Sequence, residues 1–462
     1  MTTTADGTTT TGPRPGEDVG RVDSSPDEVA RAVQMAHDAW HRWRRTAPSD
    51  RAACLRDAAT AVRGRSDELG DSLCATTGRL LREARSSAHV AADLLDEAAV
   101  TGLGIAGRTL AGSPGAVDLV RAEPRGVVAV LTPWNDPFPA AAGLLAAALV
   151  TGNTVVHKPS ERSAVPGALM GKLVADCLPP GVLQLLCGGG GVGAQLAADG
   201  RVAVVAHVGS SATGRTISAV TGARGARALL ENGGKDPIVV DDGVDPAWAA
   251  QQIATGAFTN AGQLCTAVER VYLHAAVAEA VTAELVRLAE GLRPGDPRED
   301  TTTLTPMVDE RQLQVVSDHV SAAVAEGAVC LTGGRRLERE GSWYPATVLT
   351  GCTADMAVMT QETFGPVAPI TVVADFDEGL RLAAESDYGL AATVLTPDSA
   401  HAMRAVEDLD VGTVKVNAVF GGAPGGSADP RRASGSGCGY GPDLLRELVV
   451  LKAVHLGTAP GA

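Results

Sequence analysis

The stretch GVVAVLTPWNDPFPAAAGLLAAALVTGNTVVHKPSE, residues 126–161, decides the fold class. It reads as a β-rich run (127–131), a helical stretch (138–150) and a second β-rich run (154–157). The same rhythm continues with β-rich runs at 182–186 and 202–208 and helical stretches at 163–177 and 213–222. Strand–helix alternation of this kind predicts a largely parallel, doubly wound sheet. A second alternating series follows Ile238, with strands near 268–273, 367–373, 391–396 and 412–416. Upstream, Ser25-Pro26 reads as an N-cap with proline at the first helical position, opening a helix to about Arg44. Further helices are expected over 49–63 and 66–100. Residues 1 to about 20 are rich in Thr, Gly and Pro and are expected to be disordered. The glycine-rich, non-periodic stretch 420–441 reads as a loop over a site or an interface, or as a linker.

A chain of 462 residues has room for two or three domains. Its net charge of −15 sets it against nucleic acid and anionic membrane surfaces. No apolar run reaches the roughly 18 residues of a membrane span, and no basic-then-apolar leader opens the chain, so a cytoplasmic location is expected. The eight cysteines form no C-x-x-C pair and read as free thiols. The histidines are dispersed, without ligand spacing, so no metal is expected.

Four motifs carry chemistry. Cys265, in Gly262-Gln263-Leu264-Cys265-Thr266, lies past a predicted helix (Pro246 to about Phe258), where a substrate can reach it and nearby dipoles can favour a thiolate. Alone, such a cysteine is more often a small buried hydrophobe. Asn135, shortly after the 127–131 run, offers an amide N–H to a developing oxyanion. Glu231, in Glu231-Asn232-Gly233-Gly234-Lys235, offers a general base beside glycines that mark a turn or a close approach. Gly209-Ser210-Ser211-Ala212-Thr213-Gly214 follows a strand and opens a helix, where N–H groups and the positive helix end hold phosphate. With Arg215-Thr216 it also differs from a Walker A loop only by Arg for Lys, which keeps an NTPase reading open. Lys158 and Glu161 lie at the carboxyl end of the 154–157 strand, where doubly wound sheets bind nucleotides. Lys158 can donate to ribose hydroxyls and Glu161 can accept from them. A carboxylate there repels a 2′-phosphate, favouring NAD over NADP.

On these segments the chain resembles the NAD(P)-dependent aldehyde dehydrogenase superfamily, from about residue 20 to the C-terminus. Glu123–Val128 leading into Pro133-Trp134-Asn135 matches the family's oxyanion segment, and Gly152–Glu161, with Lys158, Ser160 and Glu161, its adenosine-ribose segment. Gly209, Ser210 and Gly214 match the pyrophosphate turn, Glu231–Lys235 the general-base segment and Gly262–Cys265 the nucleophile segment. Gln361–Val367 resembles the segment whose Glu362 holds the nicotinamide ribose and whose Phe364 lies beside the nicotinamide; Trp134 joins these cofactor contacts by the same likeness. The resemblance implies two doubly wound α/β domains and a small β oligomerisation arm. The NAD-binding domain would take 20–106 and 125–233, and the catalytic domain 234–425. Segments 107–124 and 426–462 would bridge subunits of a homodimer or homotetramer, with Arg121–Pro124 pairing with Val449–Leu451 across the interface. It also implies attack by Cys265 on an aldehyde, an oxyanion held by Asn135 and the Cys265 N–H, and hydrolysis of a thioester by water that Glu231 activates. Alternatives are a CoA-acylating dehydrogenase, which usually lacks such a Glu, and a non-catalytic binding relative.

Several positions depart from the family pattern. Asp136 stands where Phe or Tyr is usual after the oxyanion Asn, and Asn232 where Leu is usual. Leu144 replaces a helix lysine linked to proton relay, which predicts slower deacylation. Gly143 replaces an arginine that some semialdehyde oxidisers use. The Ser-Gly-x-Gly-Arg-Glu signature appears as Ser434-Gly435-Ser436-Gly437-Cys438-Gly439, after an apparent insertion.

Overall fold

The computed structural model describes residues 23–422 and 426–459, and near the N-terminus the antiparallel backbone pair Thr2–Thr3 and Thr9–Thr10. The rest of the expected tail, 1–19, lies outside the described residues, as do Pro424 and Gly425 of the glycine-rich stretch.

Pro26–Trp43 forms the first helix. Its start is a capping box: Ser25 Oγ accepts from the Glu28 N–H, and the Glu28 carboxylate accepts from the Ser25 N–H at 2.7 Å. The single helix expected over 66–100 is two helices, Ser66–Thr77 and Leu81–Thr101. Gly78 breaks it with a left-handed φ of 75°, which glycine adopts without steric cost. Residues 79–80 form the corner between them.

The stretch that opened the sequence reading folds as strand Val127–Thr132, helix Pro137–Val150 and strand Thr154–Pro159. These strands lie inside a six-stranded sheet in the order 435–436, 227–231, 202–208, 127–132, 154–159, 183–185. Every pairing is parallel except the edge contributed by Gly435–Ser436. Alternate residues of Val127–Thr132 serve different cores. Val128 and Val130 pack with the helices over residues 48–175, whereas Val127, Ala129 and Leu131 pack with the helices starting at Pro26 and Gly190. A strand buried on both faces is what a helix-covered parallel sheet requires.

The second series builds a seven-stranded sheet in the order 329–332, 347–350, 367–373, 268–274, 236–240, 391–395, 413–416. Only Val329–Thr332 runs antiparallel. It too is covered on both faces, with Val239 and Tyr272 in one core and Ile238, Val240 and Val271 in the other.

The arm is a three-stranded antiparallel sheet of Arg108–Leu110, Val117–Pro124 and Val449–Leu456. The pairing expected between subunits is made within one chain, from Val449 opposite Pro124 to Leu456 opposite Val117. The segment before it is no part of the arm. Arg431–Arg432 pairs with Tyr388–Gly389 beside the second sheet, and Gly435–Ser436 pairs with Leu230–Glu231 of the first. Among the described residues, no helix is long and apolar enough to cross a membrane.

Candidate active site

Cys265 is delivered by a strained turn. Helix Pro246–Phe258 ends in a short 3-10 turn in which Asn260, Ala261 and Gly262 take φ of 50°, 52° and 69°. Left-handed backbone costs a non-glycine residue roughly 1–2 kcal/mol, so Asn260 and Ala261 hold strain that other contacts must offset. Gln263 supplies them: its side chain donates to the Asn260 carbonyl at 2.9 Å and the Pro306 carbonyl at 3.1 Å, and accepts from the Val308 N–H at 2.9 Å. A Cβ on Gly262 would sit 2.1 Å from the Gly365 carbonyl oxygen, so only glycine fits there.

Asn135 reaches the same turn. Its Nδ2 donates to the Gln263 carbonyl at 3.0 Å, two residues before the thiol, and its own carbonyl accepts from Arg79 at 3.1 Å. Glu231 closes strand Arg227–Glu231, and Glu362 lies against the Gly233-Gly234 backbone, accepting from the Gly234 N–H at 3.2 Å. A Cβ at Gly233 would fall 2.0 Å from that carboxylate, and one at Gly234 would lie 3.0 Å from the Cys265 carbonyl. The two glycines thus let the Glu231–Lys235 segment, the Gly262–Cys265 segment and Glu362 meet.

The electrostatics around Cys265 differ from the expectation of a thiolate-favouring setting. Solvent reaches the Cys265 side chain, yet dense protein surrounds it, and this desolvation pushes its thiol up to about 12. Asp236, Glu231, Glu362 and Asp136 add negative charge in the same direction. Burial likewise raises Glu231 to about 8, opposed by the Gly439 N–H that donates to it at 2.9 Å. Glu362 and Asp236 are each raised to about 8, first by burial. The free protein therefore holds a neutral thiol among carboxyl groups that resist ionisation.

Phe364 carries a left-handed φ of 51° and stands edge-on to Trp134, with ring centroids 5.6 Å apart. Its backbone is fixed from beneath by Glu269, which accepts from the Thr363 N–H at 2.7 Å and the Phe364 N–H at 2.8 Å. Glu269 is paired in turn with the fully buried Lys235 at 2.6 Å.

At the first sheet, Lys158 Nζ donates to the Pro159 and Gly188 carbonyls, each at 2.9 Å, and stands 4.0 Å from Glu161. Ser160 caps the short turn Glu161–Ser163. Ser210 caps helix Ser211–Ala223, with its Oγ accepting from the Thr213 N–H. Because that helix begins at Ser211, Gly214, Arg215 and Thr216 lie inside it. A Walker A cradle needs the residues between its two glycines in the loop, and Ser211, Ala212 and Thr213 are already helical, so the NTPase reading fails. Gly214 makes room for the Asn232 amide, which a Cβ would approach to 2.3 Å. Ser211 Oγ, at the helix start, is buried without a hydrogen-bond partner. An unsatisfied hydroxyl at a positive helix end, with Lys158 at the carboxyl end of strand Thr154–Pro159 and Glu161 in the turn after it, is a set of donors and an acceptor that fits a dinucleotide.

Two sets of residues were not evident from sequence. Asn232 donates to the Ala433 carbonyl at 3.1 Å, and its N–H to the Ser434 carbonyl at 2.8 Å, so the altered C-terminal segment is strapped onto the Glu231–Lys235 segment. Arg79, Glu83 and Ser87, from the helix corner at Gly78, gather around Asp136. The break signal at Gly78 was present in the sequence, but nothing local says which distant loop the corner meets.

The model of the aldehyde dehydrogenase family matches residues 2–454, and the chain belongs to that family. It is 37% identical over 405 residues to the alpha-ketoglutarate semialdehyde dehydrogenase of Haloferax volcanii, covering 85% of this chain and 83% of that one. Among solved structures it is similar to the betaine aldehyde dehydrogenase of Staphylococcus aureus in complex with NAD+, at 26% identity and TM-score 0.94, covering 98% and 92% of the two chains. An E. coli NADP-dependent enzyme superposes with TM-score 0.94 at 28% identity, covering 98% and 96%. The fold is the aldehyde dehydrogenase fold, and the protein is an oxidoreductase of aldehydes.

Proposed function

We propose that this chain oxidises an aldehyde to a carboxylic acid with NAD in preference to NADP, using Cys265 as nucleophile, Asn135 as oxyanion donor and Glu231 as general base. The carrying observation is the Asn135 amide bonded to the Gln263 carbonyl, which holds an N–H donor at the turn that presents Cys265.

Cys265 Sγ adds to the carbonyl carbon as its proton passes to solvent water, giving a thiohemiacetal whose oxyanion accepts from Asn135 Nδ2 and the Cys265 N–H. When bound, a nicotinamide ring would supply the hydride acceptor. Departure of the hydride leaves a thioester on Cys265. Glu231, once ionised, takes a proton from water, which attacks the thioester and frees the acid and the thiol. Trp134, Lys158, Ser160, Glu161, Gly209, Ser210, Gly214, Glu362 and Phe364 are our choices to hold the cofactor. The Glu161 carboxylate is the ground for preferring NAD, since it would repel a 2′-phosphate.

We assign 20–106 with 125–233 to the cofactor half, 234–425 to the catalytic half, and 107–124 with the C-terminal strand to an arm between subunits of a homodimer or homotetramer. The exposed arm residues Leu110, Val117, Leu451 and Leu456 support that surface. Following NADH formation with an aldehyde panel, NAD and NADP varied and CoA present or absent, tests the reading. CoA-independent turnover with higher kcat/KM for NAD agrees with it; a CoA requirement or NADP preference contradicts it.

A further inference from the structure

We propose that Asp136, with Arg79 and Ser87 holding it, is a substrate-recognition site that selects aldehydes bearing a hydroxyl group over apolar or anionic ones. The inference rests on the aldehyde-oxidising reading above and names the substrate class of that site.

Asp136 follows Asn135, whose amide marks where the aldehyde oxygen sits in that reading. One oxygen, Oδ1, is fully engaged: Arg79 Nη1 lies 2.7 Å from it and Ser87 Oγ donates to it at 2.5 Å. Arg79 is nine-tenths buried; it also donates to the Asn135 carbonyl, and its Nε lies 3.8 Å from Glu83. The oxyanion residue and Asp136 are therefore clamped by one guanidinium. Among the described residues no hydrogen bond engages Asp136 Oδ2, and the side chain is 35% exposed. Its charge is also one of those acting on Cys265. The result is an oriented acceptor, open to solvent, within electrostatic reach of the nucleophile.

A free carboxylate oxygen calls for a donor. An apolar chain would leave it desolvated and unpaired, and an anionic chain would meet its charge. An ammonium group would have to sit beside Arg79, whereas a neutral hydroxyl donates to Oδ2 without that repulsion. Gly143, by contrast, offers no cation, only open space beside its backbone.

The test compares kcat/KM for glyceraldehyde, propanal, 3-aminopropanal and succinic semialdehyde in wild type, Asp136→Asn and Ser87→Ala, each checked by thermal unfolding. Wild type should prefer glyceraldehyde to propanal. Asp136→Asn should cut that ratio by about tenfold or more, the scale of a lost charge-assisted hydrogen bond, and raise succinic semialdehyde relative to propanal. Ser87→Ala, which loosens Oδ1 without meeting substrate, should lower the ratio less, mainly through KM; it serves if Asp136→Asn does not fold. A ratio that neither folded variant moves overturns the inference, as does a wild-type preference for 3-aminopropanal over glyceraldehyde. Failure of folded wild type to oxidise any aldehyde overturns the proposed function as well; oxidation without hydroxyl preference overturns this inference alone.

Discussion

Glu231 has a backbone amide for a partner, that of Gly439, and burial holds its carboxyl at about 8. As a general base for thioester hydrolysis it must be ionised, so kcat should rise with pH through about 8, and Glu231→Gln should lose both steady-state turnover and that rise. A profile in the Glu231→Gln protein with the same rise would assign the titration elsewhere. The same shift affects stability. Between its unfolded value of 4.5 and about 8, the folded protein binds the extra proton, so this group's contribution is lost as pH rises through that window. Denaturant titrations at pH 5 and 8 should therefore show a smaller fall in stability for Glu231→Gln than for wild type. Asn135→Ala should lower the rate on the order of 10²–10³, the usual loss for an oxyanion donor; a loss under about tenfold with thiol chemistry rate-limiting would remove Asn135 from that role. The identities of Cys265, Glu231 and Asn135 as candidates were legible because each sits in a motif with its own chemical logic. The field around Cys265 was not, because Asp236, Glu362 and Asp136 come from three separate segments that only folding brings together.

The strap over the site is the element that sequence described least well. Ser434–Gly439 read as an altered signature, and Asn232 as an isolated departure, yet they are two halves of one contact. Asn232 binds the Ala433 and Ser434 carbonyls, and the Gly439 N–H binds Glu231. A Cβ at Gly439 would fall 1.9 Å from Glu231 Cγ. Gly439→Ala should consequently push the carboxylate aside, slowing thioester hydrolysis while acylation persists. The expected readout is a retained burst of NADH followed by a steady state at least about tenfold slower. Loss of burst and steady state together, in folded protein, would place the effect at the nucleophile instead. The strand–helix rhythm from Gly126 onward was legible to within a few residues because its apolar runs are long and punctuated. The Gly78 break was hidden by helical periodicity on both sides of it.

Across the whole molecule, both large sheets follow from strands whose alternate residues feed different cores, a pattern present in the sequence itself. The arm shows the limit of that reading. Two extended segments far apart in the chain were expected to meet between subunits, but they pair inside one chain because the C-terminal strand returns beside Val117–Pro124. The arm still exposes Leu451 at 64% and Leu456 at 56%. If it is the contact between subunits, Leu451→Asp should shift the protein toward monomer in light scattering coupled to gel filtration. An unchanged mass would move the interface elsewhere.

The central claim is covalent chemistry at Cys265, and intact-protein and peptide mass spectrometry after rapid quenching with aldehyde and NAD tests it most directly, alongside NADH formation. The account predicts an acyl adduct on Cys265 in wild type, more abundant in Glu231→Gln, and neither adduct nor NADH in Cys265→Ala. NADH formation by folded Cys265→Ala, or an adduct confined to another cysteine, would contradict it.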